Sequence, residues 1–285
     1  MKVKLSISYY ELSTQHYNRG GTMNIIVLVK QVPDTTEVKL DPKTGNLIRE
    51  GIESIINPDD VHALEAAIDL KESHGGKITV LSMGPPQAID AISEAMGMGA
   101  DEGILLSDRA FAGADTWATS TTLGKAIEKV ENYDLVLCGR QAIDGDTAQI
   151  GPQVAEYLNL PQVSYAYDIE KVTKKSMVVK RRLEDGFEKI LCPLPAVLTV
   201  IGDMNRPRYP HVARLIDACG EKAKIKIWNA ADIGAQISDV GLEGSLTHVI
   251  KTFAPKFKRQ GEMLQGDTET IVEELVGKLK ENMLI

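Results

Sequence analysis

Leu135-Val136-Leu137-Cys138 followed by Gly139-Arg140-Gln141-Ala142-Ile143-Asp144-Gly145-Asp146-Thr147-Ala148-Gln149-Ile150 is the stretch on which the reading of this chain turns. Four apolar residues without alternation form the pattern of a strand covered on both faces. From Thr147 to Asn159 apolar residues recur at helical spacing, so a strand, a glycine turn and a helix start meet here. The first N–H groups of a helix lack partners inside it and sit at the positive end of its dipole, and a phosphate can rest against them. Gly139 and Gly145 permit close approach, Asp146 or Thr147 supplies a helix cap, and Arg140 adds positive charge. The expectation is a nucleotide pyrophosphate site. A ligand-free strand-to-helix turn would use the same residue types, and Asp144 and Asp146 repel phosphate unless they face a ribose hydroxyl or are used in capping.

Outward from this stretch the chain alternates strand with helix. Asn24 to Val29 is a continuous β-branched run, Lys77 to Met83 a second, Gly103 to Leu106 a third. Helices are expected from Asn57, from Gln87 to Met98, and from Asp115 or Thr116 to Val130. In Asn57-Pro58-Asp59-Asp60, Asn57 is expected to cap, Pro58 to take the first helical position and the two acids to complement the dipole. Such an order implies a parallel sheet flanked by helices, with ligands at the carboxyl ends of its strands. The loops after Val29, Leu106 and Cys138 then share one crevice. The first of them, Lys30-Gln31-Val32-Pro33-Asp34, has no glycine, which argues against a dehydrogenase that reads a dinucleotide through Gly-x-Gly-x-x-Gly at that turn.

Val38-Lys39-Leu40 and Leu47-Ile48-Arg49 read as a short hairpin. After Val163 the pattern changes: Val172 to Leu183 and Phe187 to Leu191, joined by Glu184-Asp185-Gly186, look like an antiparallel excursion, and Pro195 to Ile201 like another buried strand. Residues 1–22 read as a loose leader and 23–228 as the α/β domain. Residues 229–285 read as an extended C-terminal tail ending in a helix from Thr268 to Lys280.

The 285 residues carry a net charge of −8, the wrong sign for a general nucleic-acid partner. Cys138, Cys192 and Cys219 show neither disulfide nor metal spacing, and the five histidines form no ligand set, so no metal is expected and free thiols point to the cytoplasm. No apolar run reaches the ~20 residues that span a bilayer. No catalytic nucleophile and base can be assembled from one loop edge.

Four segments, Val27 to Asp34, Asn57 to Asp60 with Met83-Gly84-Pro85, Gly139 to Ile150, and Val179 to Thr199, resemble the β subunit of electron transfer flavoproteins. In the last, Arg181, Glu184-Asp185-Gly186, Glu188, Ile190, Pro195 and Val197-Leu198-Thr199 fall at the family's signature spacing. The resemblance implies an adenine-nucleotide-binding α/β fold, a heterodimer with a flavin-holding α subunit, and AMP contacts at Leu28, Asn57 to Asp60, Met83 and Gly139 to Ile150. The loop Asp108 to Thr116 is similar to that of electron-bifurcating members. There FAD takes the AMP place, NADH is the donor, and electrons leave for the α-subunit flavin and for a low-potential acceptor such as ferredoxin. On that branch Asp108, Phe111, Ala112, Gly113, Asp115 and Thr116 are expected around the isoalloxazine or ribityl chain, with the pyrophosphate at Asp146, Thr147 and Ala148. Arg206 to Arg214 aligns with the segment the family uses to dock acyl-CoA dehydrogenases, which puts Arg208, Tyr209 and Val212 in that role. A β subunit holding AMP structurally, and a stand-alone nucleotide-binding protein of the same fold, are the competing readings.

Overall fold

A computed structural model describes residues 5–6, 22–34, 53–220, 223–250 and 261–285. The expected hairpin between Val38 and Arg49 lies outside the described residues, as does the leader apart from Leu5–Ser6.

In chain order the elements are β1 (Leu5–Ser6), β2 (Met23–Leu28), β3 (Gln31–Pro33), β4 (Ser54–Ile56), α1 (Pro58–His74), β5 (Gly76–Met83), α2 (Ile89–Met98), β6 (Glu102–Leu106), α3 (Thr116–Val130), β7 (Leu135–Gly139), α4 (Ile150–Tyr157), β8 (Gln162–Val172), β9 (Ser176–Leu183), β10 (Gly186–Pro193), β11 (Ala196–Val200), α5 (Val212–Cys219), β12 (Ile225–Trp228) and α6 (Thr268–Glu281). The large sheet runs β1-β10-β9-β8-β11-β7-β2-β5-β6-β12, and β3 pairs separately with β4. Its central strands are parallel, as the buried apolar runs require. The chain moves outward from β2 to β5 and β6, then returns to lay β7 on the other side of β2. The carboxyl ends of β2 and β7 therefore diverge at a topological switch point, the place where open α/β sheets bind ligands.

Alternate residues of the central strands feed two cores. Ile25, Val27, Leu135 and Leu137 pack with α1 and α2 on one face. Ile26, Leu28, Val136 and Cys138 pack with α3 and α4 on the other. Each fully buried aliphatic side chain contributes about 1.5–3 kcal/mol relative to exposure.

Two expectations need correction. Val172 to Leu183 is not one strand: Val172 ends the eleven-residue β8, and the chain turns at Thr173, whose hydroxyl accepts from the Ser176 N–H at 3.0 Å, before β9 begins. The excursion is thus three-stranded, and β8 also pairs in parallel with β11. The helix after β7 starts at Ile150, not Thr147, because Asp146 and Ala148 take positive φ values of 50° and 53° and cannot continue a helix. The chain forms two compact units, Met1–His248 and Val249–Ile285. Ala230, Ile233 and Val240 are buried in the same core as α3, which holds residues 229–248 on the α/β unit.

In the second unit α6 is capped by Asp267, which accepts from the Thr270 N–H at 2.9 Å, and Lys278 pairs with Glu262 at 2.8 Å. Val272 and Leu275 of α6 are exposed.

Helices α3 and α4 meet at Gly124, where an added Cβ would lie 2.2 Å from Tyr157 Cδ1. Gly124→Ala should therefore force the two helices apart and lower unfolding free energy by about 1–3 kcal/mol, read as a drop in urea midpoint at unchanged slope.

Candidate functional site

The first turn of α1 organises the crevice. Asn57 is fully buried and stands at the cap position, yet its side chain makes no cap hydrogen bond. It reaches across the switch point instead: Nδ2 donates to the Gln141 carbonyl at 2.8 Å, and Oδ1 accepts from the Ile143 N–H at 3.1 Å. The amide reads the backbone of the Gly139–Ile150 loop as a neighbouring strand would. Its side chain does not make the capping bond expected of it, and Pro58 at the helix start removes one of the N–H groups that a cap would have had to meet.

One turn further, the buried carboxylate of Asp60 accepts from Lys30 N at 2.8 Å and from Gly139 N at 2.9 Å. These N–H groups belong to the two strand ends that diverge. Gly139 is obligatory here, because a Cβ would meet Asp60 Oδ1 at 2.4 Å and the Asp59 carbonyl carbon at 2.7 Å. Burial drives the Asp60 pKa up to about 7, against the pull of the Lys30 N–H, Asn57 and the Gly139 N–H. Asp59 is also raised by burial, opposed by Arg140, whose Nε lies 3.5 Å from its carboxylate. The buried Cys138 thiol is pushed far above its ordinary range by burial and is inert.

The loop itself is an open face: Ile143 to Thr147 are exposed, and nothing lies within 4 Å of a Cβ built on Gly145. Its two acids are occupied. Asp144 is gripped by Lys30 Nζ at 2.6 and 2.8 Å, and Asp146 by the Gln141 side chain. Lys30 was not among the residues singled out from sequence, and the pairing removes the repulsion that Asp144 would offer a phosphate. Asp146 and Ala148 hold left-handed backbone, which for alanine is uncommon and strained. Among the described residues the N–H groups of Thr147 and Ala148 have no internal acceptor, and both adjoin the start of α4. A cradle that excludes a Cβ at its base, an open rim, free N–H donors and a neutralised acid fit a diphosphate.

The loop Asp108–Thr116 borders the same crevice through Thr116, whose hydroxyl donates to Gln149 Oε1 at 2.8 Å. Most of its other side chains turn elsewhere. Phe111 is 5% exposed and sits in the core with Val240. Asp108 caps a 3₁₀ turn through Ala110 N and accepts from Ala230 N, and these N–H groups hold its pKa low. Asp115 caps α3 through Ala118 N and accepts from both N and Oγ1 of Thr247 at 2.9 Å. Burial raises its pKa, but these donors outweigh burial and leave it lowered. The exposed residues of this turn are Arg109, Ala112 and Gly113, and the Ala112 N–H and carbonyl are already bonded to the Arg109 carbonyl and the Leu242 N–H. Leu28 is likewise core, so it meets the crevice by its backbone alone, and Met83 is half-buried beside the core.

Of the three residues expected to dock a partner, two are exposed: Tyr209 at 93% and Val212 at 70%, with Ile216 on the next turn of α5. Arg208 is instead turned inward. Its Nε is 3.0 Å from the buried Glu65, and its other nitrogens reach Glu72 at 2.6 Å and Asp69 at 3.4 Å. It staples the segment to α1, helped by Asn205, which donates to the His62 carbonyl at 2.9 Å.

A sequence profile described as the electron transfer flavoprotein domain matches residues 44–233. The chain is 52% identical to an electron transfer flavoprotein subunit beta of Thermoanaerobacterium thermosaccharolyticum, over 92% of this chain and all of that one. It is 52% identical to the caffeyl-CoA reductase-Etf complex subunit CarD of Acetobacterium woodii, and 43% identical to the acryloyl-CoA reductase electron transfer subunit gamma of Anaerotignum propionicum, with the same coverage in both cases.

Because Asp60 titrates at about 7 in the folded chain and at 3.8 when unconstrained, the folded state binds its proton more tightly. Its contribution to stability is complete below pH ~4 and is lost as pH rises to ~7. Asp60→Asn should flatten that decline in the urea midpoint between pH 4 and 7, while losing about 1 kcal/mol for the acceptor that one N–H forfeits.

Proposed function

Since this chain belongs to the electron transfer flavoprotein family, as a β subunit, we propose that it holds FAD in the crevice between β2 and β7 and works in a heterodimer with a flavin-containing α subunit. On this reading the flavin would supply two-electron chemistry with NADH as donor, with one electron destined for the α-subunit flavin and the other for a low-potential acceptor such as ferredoxin, while the residues of this chain hold and orient it. The α-subunit flavin then serves a dehydrogenase or reductase acting on a CoA thioester, the class of partner that the names of the Acetobacterium and Anaerotignum relatives contain.

The observation that carries the nucleotide part is the pair of clamps from α1, Asn57 on Gln141 and Ile143, and Asp60 on Lys30 and Gly139. They fix a cradle whose free N–H groups and neutralised acid suit the diphosphate. Thr147 and Ala148 would hold that diphosphate, and Asn57 to Asp60 would border the adenosine. The exposed surface of Ala112 and Gly113, with Thr116, would flank the ribityl chain or ring. The protein supplies position and electrostatics. Tyr209, Val212 and Ile216 form the partner-facing surface, held out by the Arg208 staple. The exposed side of α6 and the tail are assigned to the α subunit, and the protein to the cytoplasm.

A second reading is favoured by the burial of Phe111 and the internal use of Asp108 and Asp115. On it, the crevice holds AMP structurally and only the α subunit carries flavin.

Nucleotides released from the denatured heterodimer separate the two. Two FAD per heterodimer, both bleached by NADH, is the expected result, and one FAD with one AMP would refute the bifurcating assignment. Lys30→Ala should weaken nucleotide retention by about tenfold by exposing Asp144 to the diphosphate, a loss of ~1.4 kcal/mol. Lys30→Ala combined with Asp144→Ala should recover most of that loss in an equilibrium dialysis measurement.

A further inference from the structure

We propose that Gln153, one turn into α4, is a positioning residue for this site: it fixes the Thr116 hydroxyl and, through it, the Gln149 amide that the crevice presents. The proposal rests on the reading of the crevice as a nucleotide site.

Away from the site, α3 and α4 meet through apolar residues, Leu123, Ile127, Val154 and Ala155, with Tyr157 seated over Gly124. Towards the crevice the seam becomes polar. Ser120, 2% exposed, has its hydroxyl 3.2 Å from Gln153 Oε1 and 2.7 Å from the Thr116 carbonyl. Gln153 Nε2 donates to Thr116 Oγ1 at 3.3 Å, and Thr116 Oγ1 donates to Gln149 Oε1 at 2.8 Å. Polar groups between packed helices cost stability unless every partner is met. This row leaves the apolar seam and ends at two residues on the rim of the crevice.

Its direction follows from donor counting. A hydroxyl has one proton. Receiving a hydrogen bond from Gln153, Thr116 directs that proton to Gln149 Oε1, which turns the Gln149 amide N–H groups away from Thr116. Gln149 stands at the cap position of α4 without spending its side chain on a cap. Those N–H groups are therefore donors for an anionic or hydroxyl-bearing ligand, a diphosphate or a ribityl chain. The same row joins the loop ending at Thr116 to the loop ending at Ile150, so both halves of the site keep one spacing.

The test uses the heterodimer with its α subunit and compares wild type, Gln153→Leu, Gln153→Glu, Thr116→Val and the double variant Gln153→Leu with Thr116→Val. Readouts are FAD and AMP per heterodimer after extensive dialysis, the dissociation constant for the retained nucleotide, and thermal midpoint. Gln153→Leu should weaken retention of the β-subunit nucleotide by about five- to tenfold, the worth of one lost hydrogen bond, with a thermal midpoint close to wild type once stripped of nucleotide. Thr116→Val should match it, and the double variant should lose no more than either single, since all three break one chain. Gln153→Glu can only accept, so it reverses the row and should shift the reduction midpoint of a β-subunit flavin where Leu merely weakens it. Unchanged retention in both Gln153→Leu and Thr116→Val, or additive losses in the double, would overturn the proposal. If wild type carries AMP in place of the second FAD, the flavin reading fails separately, and AMP retention in the same variants then decides the role of Gln153.

Discussion

The buried carboxylate of Asp60 is the constraint on which the rest of this site depends. Two parallel strands that part at a switch point leave their last N–H groups facing a gap, and in a dry interior each must find an acceptor. Asp60 answers both, Lys30 N with one oxygen and Gly139 N with the other. Only a glycine lets the chain pass so close. Because the acceptor comes from α1, the helix cannot shift without opening the sheet edge. The same helix presents Asn57 to the cradle loop and Glu65 to Arg208. The crevice and the exposed segment carrying Tyr209 and Val212 are thus both referenced to one rigid rod.

Much of this was legible in the residues themselves. Unbroken apolar runs such as Ile25 to Val29 and Leu135 to Cys138 are too short for helices and rich in β-branched residues, which marks them as strands covered on both sides, and their alternation with helical periodicity leaves a parallel sheet as the economical arrangement. Capping of α3 by Asp115 was readable for the same reason, a short acid directly before a helical pattern. The three-stranded excursion was misjudged at Val172 because a polar turn, Thr173-Lys174-Lys175, carries neither glycine nor proline. It is closed by the Thr173 hydroxyl instead.

What the residues could not disclose was how side chains divide their loyalties. Asn57 has the form of a cap and serves a distant loop. Asp144 has the form of a repellent, but a lysine 114 positions away takes its charge. Phe111 has the form of a ring-stacking aromatic, and it is drawn into the core by Val240, far along the chain. Each depends on a contact across long sequence separation, where local pattern carries no signal. Helix α4 begins three residues late because Ala148 accepts left-handed backbone, a conformation alanine rarely advertises.

The packing of residues 229–248 against the turn at Asp108–Thr116 bears on how the molecule is made. Asp108 and Asp115 have their carboxylates completed by Ala230 and Thr247, and Leu242 N donates to the Ala112 carbonyl at 3.0 Å. Chains emerge from the ribosome amino end first. The wall beside Thr116 therefore stays unfinished until the residues from Ala230 to Thr247 have followed it, and the turn folds to completion only against a segment made more than a hundred residues later.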